Sequence, residues 1–198
     1  MRRVALGVLF VVAFLLGELT PAEARPSRMK VPRPALEWII SEWINGPGTT
    51  LQALRGQVVV IDFFQLWCPG CNSFSIPLIH HWEEVFADEI KAGRIKFVSI
   101  HTVFEGHDYQ NPDKLKRFLK RKKINHLVGV DRHAPGQRVP RTMRLYGTMG
   151  TPEMAFIGPK GMVRFQEFGG FDVRPAEELL RQLLAEAEAT ARPAALAK

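Results

Sequence analysis

The sequence predicts an α/β fold in which strands alternate with helices and form a parallel core. Short β-branched apolar runs are typical of buried parallel strands. They alternate along the chain with segments whose apolar residues recur at helical spacing. The chain has 198 residues, 46% of them hydrophobic, which is enough to bury one sizeable core. One domain is therefore expected.

The first 24 residues are expected to lie outside that domain as a signal peptide. Arg2 and Arg3 precede an apolar run over residues 4–16, and residues 22–24 form a small-x-small cleavage site. Because the run is short for a membrane span, a cleaved export signal is favoured over a retained anchor. The protein is thus expected to be exported, periplasmic or extracytoplasmic. Membrane contact is expected only if this segment is retained.

Two segments separate the signal from the first clear strand. Residues 25–34 are basic and contain prolines, which predicts a flexible leader. Residues 35–43 mix apolar and polar side chains without a clean period, so both a helix and a strand remain open. Residues 45–48, Asn-Gly-Pro-Gly, mark a turn.

The run from Val58 to Phe64 predicts a central strand. Apolar side chains would face both sides of a sheet, and only Asp62 interrupts them. A helix is predicted from Pro69 to Asp88, since apolar residues then recur on one helical face. Pro69 suits the first helical position, and Pro77 should kink the helix.

Cys68 and Cys71 are the two cysteines of the chain and bracket a Pro-Gly pair at the predicted start of this helix. Unpaired amides and the helix dipole should stabilise the thiolate of Cys68. Cys71 lies about one turn further on, where it can attack a mixed disulfide formed at Cys68. A reversible dithiol–disulfide couple is therefore predicted. A structural disulfide or half of a zinc site is the alternative, although exported proteins that use disulfides structurally usually carry several.

The remaining elements follow the same two patterns. The sequence predicts strands at residues 95–102, 126–130, 154–157 and 162–168, with a turn at 158–161 before the last of them. It predicts helices at residues 112–123, 138–146 and 175–187, a loop at 103–111 and a frayed tail at 189–198. His101, at the end of one strand, is expected to be buried or capping rather than a redox or metal group.

The net charge of +7 is concentrated in the helix predicted at residues 112–123. Seven of the ten residues from Lys114 to Lys123 are Lys or Arg, and such a helix can meet an acidic partner or an anionic surface. A solvated helix face is the simpler interpretation. A nucleic-acid ligand is not expected, because aromatic residues are not interleaved with the cations.

The strand–turn–helix stretch resembles the thioredoxin family. Asp62, Trp67, Cys68 and Cys71 match its pattern, in which a buried Asp lies six residues before the first Cys of Trp-Cys-x-x-Cys. The Pro-Gly pair differs from the Gly-Pro of thioredoxin. Pro77 lies six residues after the second Cys, one more than the family's interval.

A second landmark runs from Tyr146 to Pro152 and resembles the family's Tyr-x-Val-x-Gly-x-Pro, with Thr148 in place of Val. The resemblance implies that Pro152 is a cis-proline packed against the cysteines and that the backbone of Thr151 receives a substrate strand. Trp67, Thr151 and Pro152 are accordingly predicted to contribute to substrate binding.

The lead-in over residues 43–56 and the helix–strand unit between residues 111 and 131 resemble the exported TlpA and ResA type branch. This implies a thioredoxin fold over residues 35–188 with an N-terminal extension and an inserted helix–strand unit. It also implies a thiol–disulfide oxidoreductase that acts on protein thiols or disulfides and depends on an upstream redox partner.

The resemblance implies a role for each of three residues. Cys68 attacks, Cys71 resolves, and Asp62 accepts the proton of Cys71, with a pKa raised by burial. No cofactor or metal is required, since the cysteines carry the electrons. The Pro-Gly pair lacks the His of DsbA-like sites, which favours a reductant or a couple of intermediate potential.

Two alternatives remain open. One is a copper-handling protein of the Sco type, although that family uses Cys-x-x-x-Cys. The other is a non-catalytic thioredoxin-like binding module, which the intact Cys-Pro-Gly-Cys disfavours.

Overall fold

A mixed sheet of seven strands forms the centre of the molecule. The computed structural model describes residues 31–191, so the predicted signal peptide and most of the predicted leader lie outside the described residues. The strand order is β1-β7-β6-β3-β4-β5-β2. The strands are β1 (Arg33–Pro34), β2 (Ile40–Ile44), β3 (Val58–Phe64), β4 (Ile95–His101), β5 (Leu127–Asp131), β6 (Glu153–Ile157) and β7 (Met162–Phe168).

The predicted central strand is confirmed, because every residue of β3 is buried. β3 pairs in parallel with β4, and β4 pairs in parallel with β5. The other strand pairs are antiparallel, so only the middle of the sheet has the predicted parallel arrangement. The turn at residues 158–161 is too short for a parallel crossover, which explains the β6–β7 hairpin.

The two faces of the sheet bury separate apolar clusters. Val58 and Val60 face Trp82 and Leu180 on the helical side. Val59 and Ile61 face the other side, against Trp38 and Tyr146. Burial on both faces accounts for the nearly continuous hydrophobic run in β3.

The helix that carries the cysteines contains a π turn. Its backbone is helical from Pro69, passes through a π-helical segment at Cys71–Ser75, and continues as α1 (Ile76–Val85). The N–H of Ile76 donates to the carbonyl of Cys71, five residues back, where an α-helix would use four. The segment therefore holds one extra residue, and this accounts for the interval of six residues between Cys71 and Pro77.

The π segment ends at Ser75, two residues before Pro77, and a kink at the proline itself stays a prediction. The predicted helix to Asp88 is not continuous. The backbone leaves helical geometry at Phe86 and resumes as α2 (Ala87–Lys91).

The N-terminal segment adds a strand to each edge of the sheet. Arg33–Pro34, placed by the sequence in the flexible leader, pairs with β7 as β1. The ambiguous segment 35–43 contains most of β2, which pairs with β5. The register shifts between Ile40 and Glu42, and this irregularity removes the alternation by which a strand is recognised.

The remaining helices are α3 (Pro112–Lys122), α4 (Arg141–Tyr146) and α5 (Val173–Ala191). α4 begins after Pro140, three residues later than predicted. α5 is longer at both ends than the predicted helix, so residues 189–191 of the predicted tail are helical. Within residues 31–191, no helix combines the length and the apolar character that crossing a bilayer requires.

Candidate active site

The two cysteines meet where β3 ends and the π-containing helix begins. Both are free thiols. Cys68 is 6% exposed, whereas Cys71 is completely buried. The backbone N–H of Cys71 donates to Sγ of Cys68 at 3.1 Å, and Sγ of Cys68 lies 3.3 Å from the carbonyl oxygen of Thr151, to which it donates when the thiol is protonated. Cys68 is thus the outer thiol and Cys71 the inner one.

The environments of the two thiols shift their pKa values in opposite directions. A hydrogen bond from the Cys71 thiol lowers the pKa of Cys68 to about 6, against the effect of burial, and backbone amides of Cys71 and Gly70 assist. The same hydrogen bond, burial and the charge of Asp62 raise the pKa of Cys71. Near neutral pH, Cys68 is therefore a thiolate and Cys71 a thiol.

Asp62 lies in the middle of the sheet, beneath the cysteines. Its side chain is completely buried, and burial raises its pKa to about 7 while the charge of Cys68 adds to the increase. The hydroxyl of Ser99 donates to Asp62 Oδ2 at 3.5 Å. Among the described residues, Asp62 Oδ1 has no hydrogen-bond partner. The carboxyl group can therefore change protonation state near neutral pH.

The Pro-Gly pair allows a close approach between the helix and Pro152. The Thr151–Pro152 peptide bond is cis, as the resemblance implies. Gly70 has helical dihedral angles, but a Cβ there would lie 2.8 Å from Cδ of Pro152. Glycine is therefore required at residue 70 by the proline packed against it rather than by the backbone conformation.

The surface beside Cys68 combines exposed aromatic rings with cations. Trp67 is 51% exposed and Tyr109 is 73% exposed. Both line a groove of about 270 Å³ that is also lined by Lys114, Arg117 and Arg121 of α3. The basic helix recognised in the sequence therefore places part of its charge around a groove at Trp67, the residue before the reactive thiol. No local sequence pattern indicates this proximity, because α3 begins more than forty residues after Cys68.

His101 is buried and neutral. Burial lowers its pKa to about 4, and its Nε2 lies 3.2 Å from Oε1 of Gln110. Gln110 also accepts a hydrogen bond from the amide of Leu66, directly before Trp67. His101 therefore supports the loop that precedes the cysteines. Within residues 31–191, no group of three or more His, Cys, Asp or Glu side chains is arranged to hold a metal ion.

All six predicted site residues lie in one region of the molecule. Cys68, Cys71, Asp62 and the Thr151–Pro152 pair are linked by the contacts above, and Trp67 forms the exposed rim. Sequence reasoning missed Ser99, which has no motif around it. The register of β3 and β4 places it opposite Asp62.

Comparisons with known proteins agree with this geometry. The crystal structure of a thioredoxin-like superfamily protein is 36% identical and has a TM-score of 0.72, with 76% of this chain and 96% of that one covered. A thiol–disulfide isomerase from Corynebacterium glutamicum is also 36% identical, with a TM-score of 0.71 and coverage of 77% and 96%. No protein-family model matches the chain.

Among curated proteins, the chain is 28% identical over 152 residues to Protein DipZ of Mycobacterium bovis. The match covers 75% of this chain, but the chain spans only about a fifth of the length of DipZ. These comparisons do not favour the copper-handling alternative, since the two similar solved proteins are a thioredoxin-like superfamily protein and a thiol–disulfide isomerase.

Proposed function

Since the chain belongs to the thioredoxin-like superfamily and is a thiol–disulfide oxidoreductase, we propose that it reduces disulfides of partner proteins through Cys68 and Cys71. One observation carries the proposal. An outer thiol with a pKa of about 6 lies against a buried inner thiol whose pKa is raised. This gives a nucleophile that is ionised at rest and a second thiol that stays protonated until it is needed.

In the first step, the thiolate of Cys68 attacks one sulfur of a substrate disulfide. A bond forms between Cys68 and that sulfur, the substrate S–S bond breaks, and the second substrate sulfur leaves as a thiolate. We expect an extended substrate segment to pair with the backbone at Thr151, beside which Cys68 already lies. The exposed ring of Trp67 would cover the other side of the segment.

In the second step, Cys71 loses its proton to Asp62 and attacks the Cys68 sulfur of the mixed disulfide. The Cys68–Cys71 disulfide forms, and the remaining substrate sulfur leaves as a thiolate. Two electrons have then passed from the protein to the substrate. A partner dithiol must return them before the next cycle.

The pKa of Cys68 supports reduction rather than oxidation. The attacking cysteine of thioredoxin, a reductant, has a pKa of about 7, whereas that of the oxidant DsbA has a pKa of about 3.5. A strongly stabilised thiolate favours the reduced protein and makes it an oxidant. The value of about 6 at Cys68 lies closer to the reductant.

We further propose that the protein is exported and belongs to the TlpA and ResA type branch. Two features support the branch: α3 and β5 correspond to the helix–strand unit between residues 111 and 131, and β2, which ends where the lead-in begins, pairs with β5. Export depends on the N-terminal signal predicted from the sequence. N-terminal sequencing of the exported protein should begin near Arg25, and recovery of Met1 in a membrane fraction would contradict cleavage.

The reductase function is tested by trapping and by turnover. The variant Cys71→Ser should accumulate a mixed disulfide with a peptide disulfide, because nothing resolves it. The parent protein, supplied with dithiothreitol, should accelerate the reduction of insulin, while Cys68→Ser should not. A parent protein that fails both to form mixed disulfides and to reduce insulin would contradict the proposal.

A further inference from the structure

A chain of hydrogen bonds leads from Asp62 to the surface. Ser99 Oγ lies 3.5 Å from Asp62 Oδ2 and 2.8 Å from Nε2 of His126. On the other side of the imidazole, Nδ1 lies 2.8 Å from Oε1 of Glu83. Ser99 is only 2% exposed, whereas the side chains of His126 and Glu83 are 8% and 25% exposed. The chain therefore becomes more accessible with each step away from Asp62.

Three separate elements supply these side chains. Ser99 of β4 is the register partner of Asp62 in β3. His126 immediately precedes β5, in which Leu127 pairs with Val98 of β4. Glu83 belongs to α1, which covers this face of the sheet. The parallel register and the covering helix together bring the groups into line.

The outer end of the chain opens to solvent. His126 lines a surface cavity of about 440 Å³, together with Asn45, Pro47, Lys96 and Asn125. This cavity is large enough for water molecules and for a small buffer base. Protons can therefore leave or reach the imidazole here without passing the substrate-binding surface at Trp67.

We propose that Ser99 and His126 relay protons between Asp62 and solvent, with Glu83 as the residue that positions the imidazole. The proposal rests on the proposed function, because the proton that Asp62 releases is the one it takes from Cys71. It assigns a task to three side chains that the dithiol chemistry itself does not use.

The relay conserves atoms and charge. When Asp62 is protonated, it donates to Ser99 Oγ, the Ser99 hydroxyl donates to Nε2 of neutral His126, and Nδ1–H donates to Glu83. When the proton moves, Ser99 gives its hydrogen to Nε2 and takes the hydrogen of Asp62. Asp62 is then a carboxylate, and His126 is an imidazolium held by the carboxylate of Glu83. Loss of the Nδ1 proton to water, on the side of Glu83, then leaves a neutral imidazole whose Nε2–H donates to Ser99 Oγ.

The other ionisable groups around the relay are consistent with this direction. Cys68 and Cys71 face Asp62 from the helix side, and the negative charge of the Cys68 thiolate disfavours an ionised carboxylate. His80 lies 3.2 Å from Glu83, and Lys96 lines the cavity beside His126. From β6, the residue paired with Asp62 is Met154, which carries no charge. The carboxylate of Glu83 is thus the anion that lies beside the imidazole where the released proton arrives.

Ser99, His126 and Glu83 are connected in the same order as the serine, histidine and glutamate of a nucleophilic triad. The position of Ser99 does not fit a role in acyl transfer. A triad serine must be reached by its substrate. Ser99 lies within β4 and is covered by α1, so its hydroxyl can only exchange protons with its neighbours.

The test measures the step in which Cys71 acts. Dithiobis(nitrobenzoate) reacts with Cys68 and releases one coloured thiolate, and the attack of Cys71 on the mixed disulfide releases a second. The rate of the second release, followed from pH 5 to 9, reports the transfer of the Cys71 proton. His126→Ala and Ser99→Ala are compared with the parent, and His81→Ala is the matched control, since His81 lies on α1 with an exposed ring.

We expect the second release to slow about tenfold near neutral pH in His126→Ala and Ser99→Ala, less than the effect of losing a directly acting acid or base. The pH midpoint should move upwards, because Asp62 then holds its proton more tightly. Added imidazole should restore the rate of His126→Ala through the cavity, and should not restore that of Ser99→Ala. His81→Ala should behave like the parent.

The outcomes separate the relay from the proposed function. If Asp62→Asn slows the second release while His126→Ala and Ser99→Ala keep the parental rate and pH midpoint, the relay is wrong and the reductase mechanism stands. A slower His126→Ala with an unchanged pH midpoint and no response to imidazole indicates a structural role and also overturns the relay. If Asp62→Asn itself has the parental rate, Asp62 is not the proton acceptor, and the mechanism fails at that point.

Discussion

At the scale of single residues, one hydrogen bond between the two thiols gives them different pKa values and therefore different roles in the reaction. The hydrogen bond from Cys71 to Cys68 lowers one pKa and raises the other. Burial of Cys71 then keeps it out of reach of external disulfides. The sequence predicts this order of reactivity from helix position alone, but the size of the difference depends on the contact.

Alkylation of the reduced protein should label Cys68 first, with a rate that rises through a midpoint near pH 6. In Cys71→Ala the midpoint should move towards the ordinary thiol value of about 8.5, because the thiolate loses its hydrogen-bond donor. Cys71→Ser keeps a donor and should move less. Mass spectrometry after iodoacetamide treatment at several pH values provides the measurement, and initial labelling of Cys71 would contradict the assignment.

Gly70→Ala tests the contact between the helix and Pro152. Alanine favours helix by about 1 kcal/mol over glycine, yet its Cβ would lie 2.8 Å from the proline ring. We expect the collision to displace Pro152 and to slow insulin reduction about tenfold. Gly170→Ala is the control, since a Cβ there meets nothing within 4 Å. Parental insulin reduction by Gly70→Ala would show that the surface at Thr151 does not depend on this packing.

At the scale of elements, the π turn reconciles two fixed requirements of one helix. Cys68 and Cys71 must keep their spacing at the start, and Leu78 and Trp82 must face the sheet further on. An extra residue in an α-helix rotates all later side chains by about 100°. The π turn accommodates the extra residue in one wider turn, so the later side chains keep their orientation towards the sheet.

Deletion of the exposed Ser73 should therefore be tolerated. The π turn would become a regular helical turn, and the later core residues would keep their orientation. Deletion of His81, also exposed but in the regular part of α1, should rotate Trp82 and Phe86 away from the core and cost at least about 3 kcal/mol of stability. Urea unfolding of both variants measures the difference. Equal destabilisation by the two deletions would mean that the π turn does not preserve the orientation of the core side chains that follow it.

The position of α3 predicts a preference for acidic substrates. Arg117 and Arg121 line the groove beside Trp67, whereas Lys120 on the same helix does not. Arg117→Glu combined with Arg121→Glu should slow the reduction of an acidic peptide disulfide about tenfold at low salt, and salt should diminish the difference. Lys116→Glu combined with Lys120→Glu makes the same charge change outside the groove and should have less effect. Equal effects of the two changes would indicate only a response to net charge.

At the scale of the whole molecule, local patterns predict the fold class, and that prediction is confirmed. β3, the helix start and the order of the cysteines follow from spacing within about thirty residues. The edge strand β2 could not be recognised, because its register shift interrupts the alternation. The contact between His126 and Glu83 joins residues 43 positions apart and depends on how α1 crosses the sheet, which no local pattern records.

Asp62 should make the stability of the reduced protein depend on pH. Its folded pKa of about 7 lies above the unfolded value of about 4, so the carboxyl stabilises the fold fully only below pH 4. That contribution is lost as the pH rises to 7, on the order of 4 kcal/mol in all. Asp62→Asn should therefore be more stable than the parent at pH 8 and similar to it near pH 4.

Chemical unfolding of the reduced protein at the two pH values measures this difference. Asp108→Asn removes an exposed carboxylate and serves as the control. A difference between Asp62→Asn and the parent that does not grow with pH would contradict the raised pKa.

The confinement of both cysteines to one site has an electrochemical consequence. The chain contains no third sulfhydryl with which charge could be shared. The molecule is therefore a carrier with a capacity of one electron pair, and its potential follows a single two-electron Nernst curve of about 30 mV per decade. Within the chain, oxidation and reduction of this couple form and break only the Cys68–Cys71 disulfide bond. For the reduction that we propose, turnover can be no faster than the rate at which a partner dithiol returns this electron pair.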